Sequence, residues 1–435
     1  MRGARARVVV VGGGAAGMMA AIAAAGEGAS VLLLEKTAQL GFKIAISGGG
    51  RCNLTNAESD VRALVSMYGG NGRFLQGALR AFTKDDLLEL LAGRGIQTKV
   101  EAPYGKVFPT SDRASDVVAA LEAELRDRGV EVRCHAPVCR IRVNAGTPGG
   151  SPGGAMALRS RVIGVELEGR EVVGAAAVVV ATGGRSCPRS GSTGDGYAMA
   201  AEVGHRVEPV WPSLVPLRVA GTRALSGVAL RGIAGTAIVG GKLAGPRFEG
   251  DALFTHFGLS GPLVLQLSRA AASGLHRGLP VELRFDLLPL VPAEAVDRLI
   301  QDRCGAASRS LVSKILADFL PRSAAEVFLQ SAGLSPERRC ADVTRQERTA
   351  LARALKSWSF AIEGWHSFDG AEVTAGGVAV AEIDPRTFAS RKVDGLYFAG
   401  EVIDVDGYVG GYNLQAAWST GWVAGRAAAT QPGPV

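Results

Sequence analysis

Gly12, Gly14, Gly17 and Glu35 have the residue types and spacing that hold a dinucleotide. Gly12 allows a tight turn, Gly14 lets backbone N–H groups approach a pyrophosphate, and Gly17 permits close packing of helix on strand. Ala15 and Ala16 complete the turn, and a helix opening there points the positive end of its dipole at phosphate. Glu35 stands 23 residues beyond Gly12, with Lys36 beside it, where a carboxylate accepts hydrogen bonds from a ribose diol. A second tract, Gly48-Gly49-Gly50-Arg51-Cys52-Asn53, offers a backbone-lined surface to a planar or anionic group. The first motif by itself leaves NAD and FAD open.

Such residues need strands and helices to place them. The valine run at 7–11 and the apolar run at 31–34 read as strands either side of an alanine-rich helix. Val178-Val179-Val180 reads as a buried strand ending in the turn Ala181-Thr182-Gly183-Gly184. Thr83 with Asp86 forms a capping pair before a helix that Gly93 stops, and Ser115 is placed to cap a helix running to Arg128. Residues 130–134, 138–143, 161–168 and 172–180 alternate as short strands, with 144–154 as a Gly/Pro/Ser hairpin loop. From about Trp211 the texture is strands broken by glycine, and from 292 to 356 it is helical. A nucleotide-domain texture then returns, with strands expected at 378–383 and 395–399.

Composition narrows the class. At 435 residues the chain exceeds one typical domain, and its 47% apolar content is that of a globular protein. No apolar run reaches the 18 or so residues of a membrane span, so a soluble, cytoplasmic protein is expected. Six scattered cysteines without a CxxC pair argue against a zinc site, a dithiol centre or a disulfide framework, and no metal is expected. The net charge of +7 permits an anionic partner such as RNA. No DNA-binding or membrane-binding pattern accompanies it, and the oligomeric state stays open.

The closing stretch distinguishes the cofactors. After the strand at 395–399 come Gly400 and Glu401, and then Gly407 to Gln415 opens a helix with Gly411, Asn413 and Leu414 at its start. A helix end of this kind favours the negative charge that a flavin gains on reduction, and an NAD-only dehydrogenase has no need of it. FAD is the expected cofactor, and the resemblance of this strand, turn and helix to those that complete the site in two-dinucleotide-fold flavoproteins implies that Glu401 faces its ribityl or pyrophosphate region. No second GxGxxG follows, so NADH or NADPH would dock transiently, or electrons would come from another donor.

In these stretches the chain resembles the BaiN/YhiN-type (BaiN/RdsA-like) family of NAD(P)/FAD-dependent oxidoreductases. The matching segments are GGGAAG at 12–17, SGGGRCNLTN at 47–56, FPTSDRASDVV at 108–118, ATGG at 181–184, GSTGDGY at 191–197, FTHFGLSGP at 254–262, and TAGGV through GGYNLQ at 374–415. The resemblance implies an α/β fold. A Rossmann-like FAD-binding domain would begin with residues 1–200, carry an inserted barrel-like domain at 201–290 and a helical part at 291–357, and be completed in 358–435, which first returns through the insertion. It also implies reduction of an activated C=C bond by flavin hydride, in a small enone or a uracil of ribosomal RNA.

The same resemblance singles out His256, in FTHFGLSGP, for polarising a substrate carbonyl or giving a proton; the plain alternative is a satisfied histidine. Cys52 is an acid, a redox thiol or a packing residue. Arg51 binds an anionic substrate or the cofactor, or sits in a structural ion pair. Tyr408 and Tyr412 stack near the flavin or supply a phenol proton, or pack a turn. Segments 47–53, 255–256 and 408–413 are expected to converge on the flavin ring. A fumarate-reductase-like flavin dehydrogenase and a non-catalytic flavin redox sensor are the competing readings.

Overall fold

The computed structural model describes residues 7–147 and 159–431. The chain divides into two units: Met1–Trp211 with Val373–Val435, and Pro212–Glu372.

In the first unit five parallel strands lie in the order Leu396–Phe398, Ala177–Val180, Arg7–Val11, Ser30–Leu34 and Glu131–Arg133. Val9 stands opposite Val178 on one side and Leu32 on the other. The apolar runs are uninterrupted because both faces of a parallel sheet are covered. Val8, Val9, Val10, Leu32, Leu33, Val178 and Val179 are fully buried, each contributing about 1.5–3 kcal/mol of apolar burial. Because the strands are parallel, the turns that follow them, at Gly12, Ala181 and Ala399, leave from one edge. In open α/β sheets that carboxyl edge is where ligands bind.

The helices Ala15–Gly26 and Tyr412–Ala429 pack through small residues. A Cβ on Gly425 would lie 2.1 Å from the Ala20 carbonyl oxygen, so only glycine allows the approach. The C-terminal helix is thereby held against the helix that follows the first strand.

Thr83 and Asp86 form the expected reciprocal capping box before the helix Lys84–Ala92. Other local expectations shift. The helix Ala114–Asp127 begins after Arg113 with no side-chain cap, so Ser115 falls inside it. The strand expected over 172–180 is two: Val172–Gly174 pairs antiparallel with Arg159–Leu167, and Ala177–Val180 enters the parallel sheet. Apolar periodicity ran through both and hid the step between sheets. The strand expected at 378–383 lies earlier, at Val373–Val378, followed by the short helix Val380–Glu382. Of the loop expected at 144–154, the first residues belong to the strand Val138–Thr147, and the rest lies outside the described residues.

The second unit is a seven-stranded antiparallel sheet with helices. Its order is Trp358–Ile362, Val281–Asp286, Ala229–Val239, Lys242–Thr255, Gly258–Ser260, Leu217–Arg218 and Gly364–Trp365. The two edge strands are separated in sequence only by Glu363, which requires the sheet to curl in the manner of a barrel. Helices Ala293–Ala306, Arg322–Ser331 and Arg345–Lys356 share the core of that sheet, with Phe328 edge-on to Trp358 at 5.4 Å between ring centroids. Strand-rich and helical segments thus form one packed body. Among the described residues no helix is long and apolar enough to cross a membrane.

Candidate functional site

The first glycine tract behaves residue by residue as its spacing requires. Gly12 has φ +103°, and a Cβ on it would lie 2.5 Å from the Ala181 carbonyl oxygen. A Cβ on Gly17 would lie 1.8 Å from the Gly12 carbonyl oxygen, so this glycine allows the helix to approach the turn. Gly14 is different: nothing lies within 4 Å of a Cβ there. Its helix starts with no capping side chain and no acidic residue in the first turn, leaving first-turn N–H groups for an anion. Ala15 and Ala16 are buried in that turn.

Glu35 is 9% exposed and accepts the Gly13 N–H and the Thr37 N–H, each at 2.7 Å. The carboxylate therefore shapes the glycine turn, and each oxygen keeps a lone pair for a ribose hydroxyl. Lys36 pairs with Asp195 and Thr193 of the GSTGDG segment, which closes that segment over the end of the second strand.

The second tract and the closing tract are joined. Gly48, Gly49 and Gly50 take left-handed φ of +57°, +70° and +85° in succession and are exposed, so the backbone there is bare. In the amide orientation that satisfies both neighbours, the Asn53 oxygen accepts the Gly411 N–H at 2.9 Å and its nitrogen donates to the Thr55 carbonyl at 3.1 Å. Asn56 Nδ2 donates to the Gly410 carbonyl at 3.0 Å, Thr55 Oγ1 to Gln415 Oε1 at 2.6 Å, and Trp418 Nε1 to the Leu54 carbonyl at 3.0 Å. A Cβ on Gly411 would meet the Thr55 backbone at 2.3 Å. Asn413 clamps its own turn, accepting the Gly407 N–H at 2.8 Å and donating to the Gly407 carbonyl at 2.9 Å. Leu414 follows it half-buried, and this helix too begins without a capping side chain or first-turn acid.

Two expected side chains have surroundings of their own. Cys52 is fully buried, and burial pushes its thiol up to about 12 despite a hydrogen bond with Ser47. That burial suits a packing residue, and a thiol so raised is a poor source of thiolate near neutrality. Arg51 pairs with both Glu101 and Asp112, and its guanidinium lies 4.1 Å from the Phe108 ring centroid. Lys99 joins the same network through Asp112. Arg51 thus stands in an ion-pair network, with its charge answered by two carboxylates.

Tyr412 is 9% exposed and meets Tyr68 edge-on, while Tyr68 donates its hydroxyl to the Tyr412 carbonyl at 2.7 Å. Burial raises the Tyr412 phenol above its ordinary value. Tyr408 is buried, its N–H donating to the Met67 carbonyl. His256 belongs to the second unit, exposed in the turn between Lys242–Thr255 and Gly258–Ser260. Its ring meets Phe257 edge-on, and Phe257 in turn packs on His366 with centroids 4.2 Å apart.

A polar network that the spacing did not reveal surrounds Glu401. Its Oε1 accepts the Thr374 N–H at 2.8 Å and the Ser186 hydroxyl at 2.9 Å; its Oε2 accepts Lys43 at 2.7 Å. Lys43 also donates to Ser186 at 2.8 Å. Thr374 Oγ1 takes the N–H groups of Arg185 and Ser186. The ATGG turn abuts this network, since a Cβ on Gly184 would meet Thr374 Oγ1 at 2.4 Å and Glu401 Oε1 at 2.7 Å. Beside it Gly183 has φ +73°, Ala181 is buried, and the Thr182 hydroxyl is buried without a hydrogen-bond partner. Gly400, φ +74°, packs on Ala16, so the acidic turn and the fingerprint helix touch. Thr374 had no sequence signal beyond membership of a quoted segment, and Lys43, Ser186 and His366 lie outside all of those segments, because nothing in spacing says which distant segments a fold brings together.

With this geometry in place, the HI0933-like protein Rossmann domain matches over residues 6–427. The chain belongs to the HI0933-like family. Among its relatives, the 3-dehydro-bile acid delta(4,6)-reductase of Clostridium scindens is 35% identical over 93% of this chain and 94% of its own. The ribosomal RNA dihydrouridine synthase of Escherichia coli is 32% identical over 92% of each chain. In fold the chain is similar to 3-ketosteroid delta1-dehydrogenase from Sterolibacterium denitrificans, with TM-score 0.52 and 16% identity over 98% of this chain and 99% of that one.

HI0933-like proteins are flavoprotein oxidoreductases of the BaiN/YhiN type with a Rossmann-type FAD-binding fold. The residues present fit such a cofactor. Gly14 opens on free space, two glycine-led helix starts lack side-chain caps, and a partner-less threonine hydroxyl lies in the ATGG turn. Among the described residues no cluster of three or more His, Cys, Asp or Glu side chains is placed to hold a metal ion.

Proposed function

We propose that this chain is an FAD-dependent reductase that adds two hydrogens across the C=C bond of an α,β-unsaturated carbonyl, with NADH or NADPH as the source of electrons. The reading rests chiefly on the union of the SGGGRCNLTN and GGYNLQ tracts, which places three bare left-handed glycines and an uncapped helix start in one hydrogen-bonded assembly. Support for the reaction class comes from two relatives whose names describe reduction of a bile acid double bond and formation of dihydrouridine. A small enone and a uracil base share the acceptor chemistry, a double bond conjugated to a carbonyl.

FAD, when bound, supplies the hydride to the β carbon. The chain's own residues divide the remaining work. Gly12, Gly14 and the N–H groups of Ala15, Ala16 and Gly17 would hold the pyrophosphate, and Glu35 would take the ribose hydroxyls, with Lys36 bracing the segment beside it. Gly48, Gly49, Gly50 and Asn53, with Gly411, Asn413 and Leu414, would hold the ring; Ala181, Thr182, Gly183, Gly400 and Glu401 would hold the polyol. Tyr408 or Tyr412 would supply the proton to the α carbon. Anaerobic mixing of the FAD-loaded protein with NADH and with NADPH tests the electron source. A flavin that stays oxidised with both removes the nicotinamide step.

A further inference from the structure

Lys43 lies outside every motif that marks the cofactor site, yet it ties together four segments of the first unit that are far apart in sequence. Its ammonium donates to Glu401 Oε2 at 2.7 Å and to Ser186 Oγ at 2.8 Å, and the Ser186 hydroxyl donates to Glu401 Oε1 at 2.9 Å. The Thr374 N–H completes the grip on Oε1 at 2.8 Å. Ser186 and Thr374 are buried at 0% and 1% exposure, whereas the side chains of Lys43 and Glu401 remain 27% and 19% exposed. The buried members fix the network, and the two charged members face outward from it.

Counting acceptors shows what the arrangement leaves over. A carboxylate has about four lone-pair sites. Two on Oε1 and one on Oε2 are taken, and the fourth belongs to the oxygen that Lys43 holds. The direction of that lone pair is set by where Lys43 pulls Oε2, since a carboxylate pinned through one oxygen alone would still turn about the bond to its chain. Gly184 shows how tightly the orientation is set: a Cβ on it would lie 2.7 Å from Glu401 Oε1, so the turn carrying the orphan Thr182 hydroxyl is packed against this same carboxylate.

We propose that Lys43 is a positioning residue for cofactor binding, orienting the Glu401 carboxylate so that its remaining lone pair accepts a hydroxyl of the FAD polyol. The inference rests on the FAD reading above. Lys43 acts through Glu401 and not by touching the cofactor, and Ser186 relays part of the same constraint. A network built only to stabilise the fold would alter stability without altering the coupling between Lys43 and Glu401 in FAD affinity.

The test is a double-mutant cycle on FAD affinity, read by calorimetric titration of FAD into apoprotein without any turnover. Lys43→Met is expected to weaken FAD binding about tenfold or more, the scale of losing one charge-assisted hydrogen bond. In a Glu401→Gln background the same change is expected to alter affinity by no more than about twofold. Lys43→Arg, which keeps the ion pair, restores binding to within about threefold of wild type. Ser186→Ala, a neutral change that avoids an unpaired charge, gives a smaller loss that likewise vanishes beside Glu401→Gln, and it serves if Lys43→Met does not fold. Equal losses from Lys43→Met in both backgrounds, no loss in either, or an Arg variant as weak as the Met variant would each overturn the proposal. Wild-type apoprotein that takes up no FAD would instead remove the reading beneath it.

Discussion

Gly421 stands against Ala16 with no room for a side chain: a Cβ there would lie 2.3 Å from the Ala16 carbonyl oxygen. The contact joins the last helix to the helix of the first glycine motif. Gly421→Ala is expected to destabilise the protein by about 2 kcal/mol, since neither backbone can yield without disturbing the parallel sheet beneath. Gly14→Ala, with nothing within 4 Å of its Cβ, should cost less than about 1 kcal/mol in the apoprotein while weakening FAD binding. Urea unfolding with FAD titration separates the two, and similar stability losses in both variants would contradict the assignment of Gly14 to ligand approach.

Cys52 should behave as core. Its thiol, pushed up to about 12 by burial, is expected to resist alkylation in the native protein at neutral pH and to react once the chain unfolds. Cys52→Ala should lower stability by about 1–2 kcal/mol through a small cavity and leave flavin reduction intact. Loss of flavin reduction in a folded Cys52→Ala protein would restore the chemical role that burial argues against.

The Arg51 network gives a pH signature. Hydrogen bonds from Arg51 and from Lys99 and Arg51 hold the carboxyls of Glu101 and Asp112 respectively below their ordinary range. Groups depressed in the folded state bind fewer protons than in the unfolded state, so their stabilisation is present above about pH 4 and is lost as pH falls through the folded values. The difference in urea midpoint between wild type and Arg51→Ala should therefore be constant above about pH 5 and shrink in more acidic solution. A difference independent of pH would mean that Arg51 contributes by packing on Phe108 alone.

Asp404 runs the other way. Burial, reinforced by Glu208 and Asp406, raises its carboxyl to about 6. The folded protein then binds more protons than the unfolded chain between about pH 4 and 6, so stability falls as pH rises through that window and is level above it. Asp404→Asn can keep the hydrogen bond that Asn71 donates at 2.9 Å. At pH 7 the variant should be more stable by about 1 kcal/mol, the two-unit shift discounted for partial solvent exposure. Equal stability at pH 7 would contradict the burial argument.

Much of the first unit was legible because its signals are local. Gly12, Gly14 and Gly17 declare a turn whose every constraint is backbone geometry, and Thr83 with Asp86 declare a helix start within four residues. The joining of Asn53 to Gly411 could be expected only from the resemblance, since the partners are distant in sequence. Lys43 and Glu401 were not legible as a pair: a lysine in an apolar helix start and a glutamate after a strand carry no mark of each other. Apolar patterning likewise read 172–180 as one strand, because a hydrophobic run does not record which sheet each residue joins. Arg51 and Cys52 look chemical by type and neighbourhood, and the sequence does not show the ion pairs with Glu101 and Asp112 or the burial in which the fold places them.

The central claim is hydride delivery to an activated double bond, and it is tested by mixing the reduced, FAD-loaded protein with candidate acceptors in the absence of oxygen. Cyclic enones and uridine-containing RNA fragments serve as acceptors, with flavin reoxidation followed by absorbance and products by mass. The account predicts reoxidation by at least one acceptor, with a stoichiometric product heavier by two hydrogens. A flavin that remains reduced with every acceptor and is reoxidised only when oxygen is admitted would contradict it.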